Sequence, residues 1–410
     1  MIRGRLGLAA LLFLGMGAAA AAQHPVVHPE RASAEAEVST ETLRRLEALG
    51  YAEWTSLELA GGAGKAGVVF HDPARAYQSL HLYKSRPRHE AHLMDMGGRI
   101  LHTWRASDPT TAAWDFVELD SDGRLLASAK YEYLEKLDWD SSVLWKVPIR
   151  PHHDLDVAED GRIYALARSD REVAIRGETF PIRDDDIVVL SPEGAEERRV
   201  RLSSLFADRV PKKLVRKMRR PRKKKHYWDV FHTNSIEILD RDVPGVGKRG
   251  HALLSIRELN LIAVVDLDEP RVVRTWGDDI LDRQHHATVV EGDRILLFDN
   301  GRHRRWSRVL EIDPASGAPS WELRGKPPSS LYTGMRGSTE RLPNGNTMVV
   351  ESAKGRVFEV TRDGDVVWEF FNPDVTQEKG KKRRAAIYRM PRIDRALAET
   401  LPVGANKSIP

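Results

Sequence analysis

From residue 90 to 370, apolar and polar positions alternate in short runs, the period of half-buried β-strands, and D-G or N-G turn signals separate the runs. The unit is an alternating strand, a turn, a second strand and often a closing Trp. It reads "EAHLMDMGGRILHTW" at 90–104, then "WDFVELDSDGRLLASAK" through "SSVLWKV" at 114–147. "HHDLDVAEDGRIYALAR" with "DDIVVLSPEGAEERRVRL" follows at 152–202, and "HTNSIEILDRD" with "HALLSIRELNLIAVVDLDEPRVVRTW" at 232–276. The last two are "QHHATVVEGDRILLFDNG" with "SRVLEIDPASGAPSWEL" at 284–323 and "GSTERLPNGNTMVVESAKGRVFEVTRDGDVVWEF" at 337–370. Trp104, Trp145, Trp276, Trp321 and Trp368 close five of these six units. Repeats of about 40 to 50 residues built from short strands are the mark of propeller blades. The pattern predicts an all-β fold, a six-bladed β-propeller over residues 63–375. A β-sandwich also has short strands at regular spacing, but it does not call for six copies of one unit with a closing Trp.

The flanks read differently. Arg3 and Arg5 precede an apolar run, Leu6 to Met16, and Ala20 and Ala22 form an A-x-A pair, so residues 1–22 are expected to be a signal peptide. The expected location is periplasmic or secreted, with no integral membrane association, since the run is short for a bilayer span. Residues 23–62 are expected to be a linker around one short helix, in which Thr40 caps "ETLRRLEALGY". Residues 376–410 are expected to be a basic C-terminal tail.

The chain has no Cys, so no disulfide contributes to the fold. Its formal charge of +4 is too small to imply a polyanion-binding surface, and no nucleic-acid partner is expected. The charge is uneven, however. "PKKLVRKMRRPRKKK" at 211–225 holds ten Lys or Arg in fifteen residues and is expected to be an exposed loop between the third and fourth units.

Three units open on histidine: His152 and His153 before Asp154, His232 two residues before Asn234, and the pair His285 and His286. The first strand of a propeller blade lines the central channel, so polar residues at one place in several repeats converge on one pocket. A single His at a strand start is more often a satisfied structural residue, but chance supplies no shared register. Arg257 in "LLSIREL" is a cation in an apolar strand, costly to bury without an anion. Alone it would pair with Glu258 or Asp266. Imidazoles with an Arg and an Asn suit a sulfate or phosphate better than a metal, because Arg257 repels a divalent cation. No phosphate-loop or dinucleotide-binding motif is present, so no cofactor is expected.

These residues resemble the bacterial aryl sulfotransferases that use no nucleotide sulfate donor. The resemblance runs from about residue 90 to 373 and rests on "HHDLDVAEDGRIYAL", "HTNSIEIL", "ALLSIREL", "QHHATVVEGDRILLFDNG" with "SRVLEID", and "ERLPNGNTMVVES" in this order. It implies a six-bladed propeller and ping-pong transfer of a sulfuryl group from an aryl sulfate to a phenol. His285 would be the transient nucleophile, forming a sulfohistidine, with His232, Arg257 and His153 completing the catalytic set. Asn234, His152 and Arg308 would bind substrate. The insertion "RDVPGVGKRGH" at 241–251 must be a hairpin loop if Arg257 is to keep its register. The sequence lacks the family's extended N-terminal β-sandwich. A non-catalytic propeller binding an anionic ligand or a protein in the channel is the competing reading, and a metal-assisted lyase using the three histidines is a third.

Overall fold

The computed structural model describes residues 54–57, 62, 64–220, 227–277, 279–378 and 380–403. All lie in one compact unit, Glu41–Pro410, and the other unit, Met1–Thr40, is outside the described residues. The expected signal peptide and most of the expected linker with its helix also fall outside them.

The described chain is mostly β, folded as consecutive antiparallel meanders. Sheet II holds Trp114–Leu119, Leu125–Ala129, Tyr133–Leu137 and Val143–Val147. Sheet III holds Pro151–Val157, Ile163–Ile175, Glu178–Leu190 and Glu196–Arg201, with the short parallel strand Trp228–Asp229 added on Glu178–Leu190. Sheet IV holds Thr233–Ile238, Ala252–Ile256, Leu261–Asp266 and Arg271–Trp276, and sheet V holds His285–Val290, Arg294–Asp299, Arg308–Ile312 and Pro319–Arg324. Sheet VI runs from Ser338–Arg341 through Thr347–Glu351 and Arg356–Val360 to Val366–Phe371, with Gly67–His71 as an extra edge strand. In sheet I the strands Leu80–Tyr83, Glu90–Met94 and Ile100–Arg105 are completed by Arg392–Ile393, from the far end of the chain.

Both faces of each sheet are covered, which explains the near-continuous apolar runs of the middle strands. In sheet IV, Leu254 and Ala263 pack toward sheet III, while their neighbours Leu253, Ile262 and Val264 pack toward sheet V. The same holds between sheets I and II, II and III, V and VI, and VI and I. The closing tryptophans sit on fourth strands and tie neighbours together. Trp145, Trp276, Trp321 and Trp368 donate their indole N–H to the carbonyls of Pro192, Pro314, Arg362 and Met96, each in another sheet. Trp104 instead meets Trp139 of sheet II edge to face.

Two expectations are corrected. The described residues between 376 and 403 are not a tail: Val375–Glu378 and Lys381–Ala385 form a small sheet with Trp54–Ser56, and Arg392 and Ile393 pair with His81 and Leu80. Arg392 also forms a buried ion pair with Glu359 at 2.7 Å. The basic run is not simply a loop either. Lys212–Met218 is a short helix whose Val215 and Met218 are buried against the extended hairpin of sheet III, with its cations turned outward; residues 221–226 lie outside the described residues. Among the described residues no helix is long and apolar enough to cross a membrane.

Candidate active site

The histidines stand where the first strands of sheets III, IV and V begin, and each of these strands is irregular there. Pairing shifts register between Pro151 and Leu155, Thr233 and Ser235, and His285 and Thr288. His153, His232 and His286 take left-handed φ values of 62°, 51° and 51°. A non-glycine residue in that region costs energy and is held there by its surroundings. The bulges turn the imidazoles out of the simple in–out alternation of a strand.

His153 and His232 meet directly, Nε2 to Nε2 at 3.0 Å. At one end of this pair the His232 Nδ1 is 2.6 Å from Asp229 Oδ2, and at the other the Tyr388 hydroxyl is 3.1 Å from His153 Nδ1. The four groups form one hydrogen-bonded chain. Burial raises the Asp229 carboxyl, but the charge and hydrogen bond of His232, with Arg168, outweigh it and hold it well below the usual range. Burial, then the Lys130 charge and the neighbouring imidazoles, hold His153 well below its ordinary value.

His285 is 2 % exposed. Its Nδ1 lies 2.6 Å from Asn300 Oδ1 and 3.1 Å from the Arg283 carbonyl, while the Arg336 N–H points at Nε2 from 3.2 Å. The Asn300 amide nitrogen is anchored by the Thr333 and Arg336 carbonyls, so its oxygen must face the imidazole. The proton is therefore on Nδ1 and the lone pair on Nε2. Burial first, then the Arg257 charge, push His285 well below its ordinary value against the opposing hydrogen bond to Asn300. His285 is a neutral, oriented imidazole.

Arg257 lies just past the end of its strand rather than within it, opening the turn Arg257–Leu259 after Ala252–Ile256. The insertion before it is a small loop closed by a Val243–Gly247 bridge and a Leu239–His251 hydrogen bond, so the pairing of the flanking strands is kept. Its guanidinium is 2 % exposed and bonds Glu258 Oε1 at 2.5 Å, but its Nε and Nη2 have no hydrogen-bond partner among the described residues. Two unused donors on a buried guanidinium have the geometry that oxyanions accept.

The other candidates are placed as follows. Asn234 donates to the Gln284 carbonyl at 2.8 Å and so ties sheet IV to the backbone just before His285. His152 faces Asp185 at 3.2 Å, behind the cluster. Arg308 is not brought to the site: its donors go to Asp299, Glu322 and the Ile280 carbonyl. It pairs with a buried carboxylate, which is reason enough for a cation on that strand. His286 bonds the Thr339 carbonyl at 2.6 Å on the next first strand and lines an interior cavity of about 200 Å³ with Glu118, Thr288 and Arg389. Asn300, Asp229 and Tyr388 were not singled out by sequence. Asn300 could have been, since it follows Phe298, the pairing partner of His285.

The model of the arylsulfotransferase (ASST) family matches residues 121–373, well over half of the chain. The chain belongs to the arylsulfotransferase family. The match spans every histidine of the cluster and Arg257, and it ends before Tyr388. No curated protein matches the chain. Among solved structures it is similar to a protein of unknown function from Bacteroides caccae, at 10% identity over 72% of this chain and 94% of that one, TM-score 0.50. It is also similar to a streptogramin B lyase, at 11% identity over 82% and 97% of the two chains, TM-score 0.45. A catalytically inactive variant of virginiamycin B lyase from Staphylococcus aureus, with quinupristin, matches at 12% identity over 63% and 69%, TM-score 0.39. At such identities the likeness concerns the fold alone.

Proposed function

We propose that the six sheets are the blades of a closed β-propeller and that the chain moves a sulfuryl group between phenols through a sulfohistidine at His285. What supports this reading is a buried His285 whose Nε2 bears the lone pair and accepts only a long Arg336 N–H, together with the Arg257 charge acting on it and two unused donors on that guanidinium. Sulfuryl transfer resembles phosphoryl transfer in spreading negative charge over the equatorial oxygens of a loose transition state. Arg257 would meet that charge, and a preorganised donor of this kind contributes about 3–4 kcal/mol.

In the first half-reaction Nε2 of His285 forms a bond to sulfur while the bond from sulfur to the aryl oxygen breaks. The electron pair leaves on the phenolate, which takes a proton from the His232–His153 pair. The sulfohistidine keeps its Nδ1 proton on Asn300. In the second half the acceptor phenol returns a proton to the pair, its oxygen bonds sulfur, and the nitrogen–sulfur bond breaks. Exchange between two phenols is nearly isoenergetic, so no nucleotide donor enters. The leader expected at 1–22 would carry the enzyme out of the cytoplasm, into a compartment without such donors.

The test is incubation of the purified chain with 4-nitrophenyl sulfate and a phenol, without nucleotide or added metal. Nitrophenolate release and transfer of radioactive sulfate onto the protein, lost in His285→Asn, are expected. Binding of the aryl sulfate with neither release nor labelling would leave the anion-binding propeller as the better reading, and release that depends on added metal would favour the lyase.

A further inference from the structure

Three carboxylates around the histidines are each shared by two cationic groups. Glu258 takes Arg257 and Arg283, and Asp229 takes His232 at 2.6 Å and Arg168 at 3.8 Å. Asp115, 3 % exposed, takes Arg86 and Lys130, the latter at 3.7 Å. The Arg257 pair acts on His285, whereas the strongest charge acting on His153 is Lys130.

Lys130 is held at this end of the fold by its own backbone. The next residue, Tyr131, has φ 63° and donates its N–H to the Pro151 carbonyl at 2.8 Å, on the strand that carries His152 and His153. Arg168, whose N–H bonds the Arg150 carbonyl, lies 4.6 Å from the Tyr131 ring centre. Lys130 Nζ lies 5.2 Å from the Tyr131 ring centre, and about a quarter of its side chain is exposed, 27%. At 3.7 Å from a carboxylate that Arg86 already binds, its charge is only partly compensated.

A simple aryl sulfate carries one negative charge. With its sulfuryl group between His285 and Arg257, such a substrate has no anion left for the cation beside His153. We propose that Lys130, supported by Arg86 and Arg168, is a second anion subsite. The substrates it selects are aryl sulfates or phenols bearing a further anionic group on the ring, a carboxylate or a second sulfate. The assignment rests on the sulfuryl-transfer reading for the first site, but it is measured separately.

The experiment compares kcat/KM for 4-nitrophenyl sulfate with that for the same compound bearing a ring carboxylate, and pairs each donor with plain and carboxylated phenol acceptors. The native chain should prefer the carboxylated partner by about tenfold, the effect of one charge-assisted contact. Whether the preference appears in the donor or the acceptor arm tells which substrate uses the subsite. Lys130→Met should bring the ratio close to one, and Lys130→Arg should keep it. No preference in the native chain, or an equal loss on both compounds in Lys130→Met, would overturn the proposal. If the native chain turns over neither compound, the first reading fails. Calorimetric binding of the two sulfates to native chain and Lys130→Met then decides the subsite alone: tighter binding of the carboxylated sulfate that disappears in the variant supports it, and equal binding overturns it. Should Lys130→Met fail to fold by circular dichroism, Lys130→Gln takes its place, with the same outcomes.

Discussion

His285 Nδ1 and Asn300 Oδ1 lie 2.6 Å apart, and the Asn300 amide nitrogen is fixed by two carbonyls, at 2.7 and 2.6 Å. The contact joins the first residue of one strand to the residue just past its neighbour, and it decides which imidazole nitrogen can attack. Asn300→Leu should leave KM for the donor little changed and lower kcat by about 10–100-fold, taking the loss seen when a metal-bound imidazole loses its orienting partner as the scale. Asn300→Asp, which keeps the acceptor, should recover most of kcat while moving the acid limb of the rate to higher pH, because a carboxylate favours imidazolium. Steady-state kinetics across pH 5 to 8 checks both.

The neighbouring histidines should separate cleanly. His285→Asn should abolish turnover and protein labelling with the fold intact. His286→Asn should retain most activity, because His286 is bonded to Thr339 on the next strand and faces the interior cavity. Its loss should cost about 1–2 kcal/mol of stability, the penalty for leaving a buried partner unsatisfied. Labelled His285→Asn with inactive His286→Asn would reverse the assignment.

Arg257 should act on both rate and pH. The neutral form of His285 is the reactive one, and the Arg257 charge is the second cause, after burial, of its lowered value. Arg257→Met should therefore move the acid limb of kcat/KM upward, toward the ordinary imidazole range. It should also cut the rate by about 10²–10³ for the lost oxyanion donor. A slower rate with an unmoved acid limb would mean that Arg257 binds substrate without tuning His285.

Sequence carried the repeats and the histidine register because both are periodic. Alternating runs and turn signals recur with each sheet, closing tryptophans with all but sheet III, and Trp145, Trp276, Trp321 and Trp368 occupy equivalent places. What it did not carry was non-periodic. "KKRRAAIYRMPRIDRALAET" has no alternation to mark a strand, yet Arg392 pairs with His81 and Tyr388 reaches His153. Two residues of strand paired with a segment some 300 positions away leave no local pattern. The helix at 212–218 was masked by charge, since only Leu214, Val215 and Met218 among its cations betray a face. Arg308, assigned to substrate with the resemblance, instead gives its donors to Asp299, Glu322 and the Ile280 carbonyl, partners that no local pattern marks.

The C-terminal segment should therefore be indispensable. A chain ending at Pro373 lacks the Arg392–Glu359 ion pair, the strand on His81 and the Tyr388 contact with His153. Breaking a buried pair by removing one partner costs about 3–5 kcal/mol on its own. The shortened chain should be recovered aggregated or with a melting temperature lowered by more than about 10 °C, far beyond the few degrees that 1 kcal/mol moves a chain of this size. A soluble, active chain ending at Pro373 would make the segment dispensable.

Stability should pass through a maximum with pH, because two sets of buried groups pull in opposite directions. Burial pushes Glu118 up to about 8, Glu340 to about 7 and Asp156 to about 6, all above the range of an unfolded carboxylate. The stability these groups contribute is fully present below about pH 4 and is lost as pH rises toward 8. The imidazoles of His153, His285 and His286 are held well below 6.5 by burial. The unfolded chain then takes up protons that the folded chain refuses, so stability falls as pH drops below about 6.5. Between about pH 4 and 6.5 the two effects oppose each other, so the maximum lies within that window. Glu118, which faces the interior cavity beside His286 and Arg389, is raised furthest of the three carboxyls. Glu118→Gln should raise the melting temperature at pH 8 and flatten the alkaline limb, leaving the acid limb unchanged. Calorimetric melts from pH 4 to 9 on both chains decide it: an unchanged alkaline limb in the variant would mean that Glu118 is already ionised in the folded state.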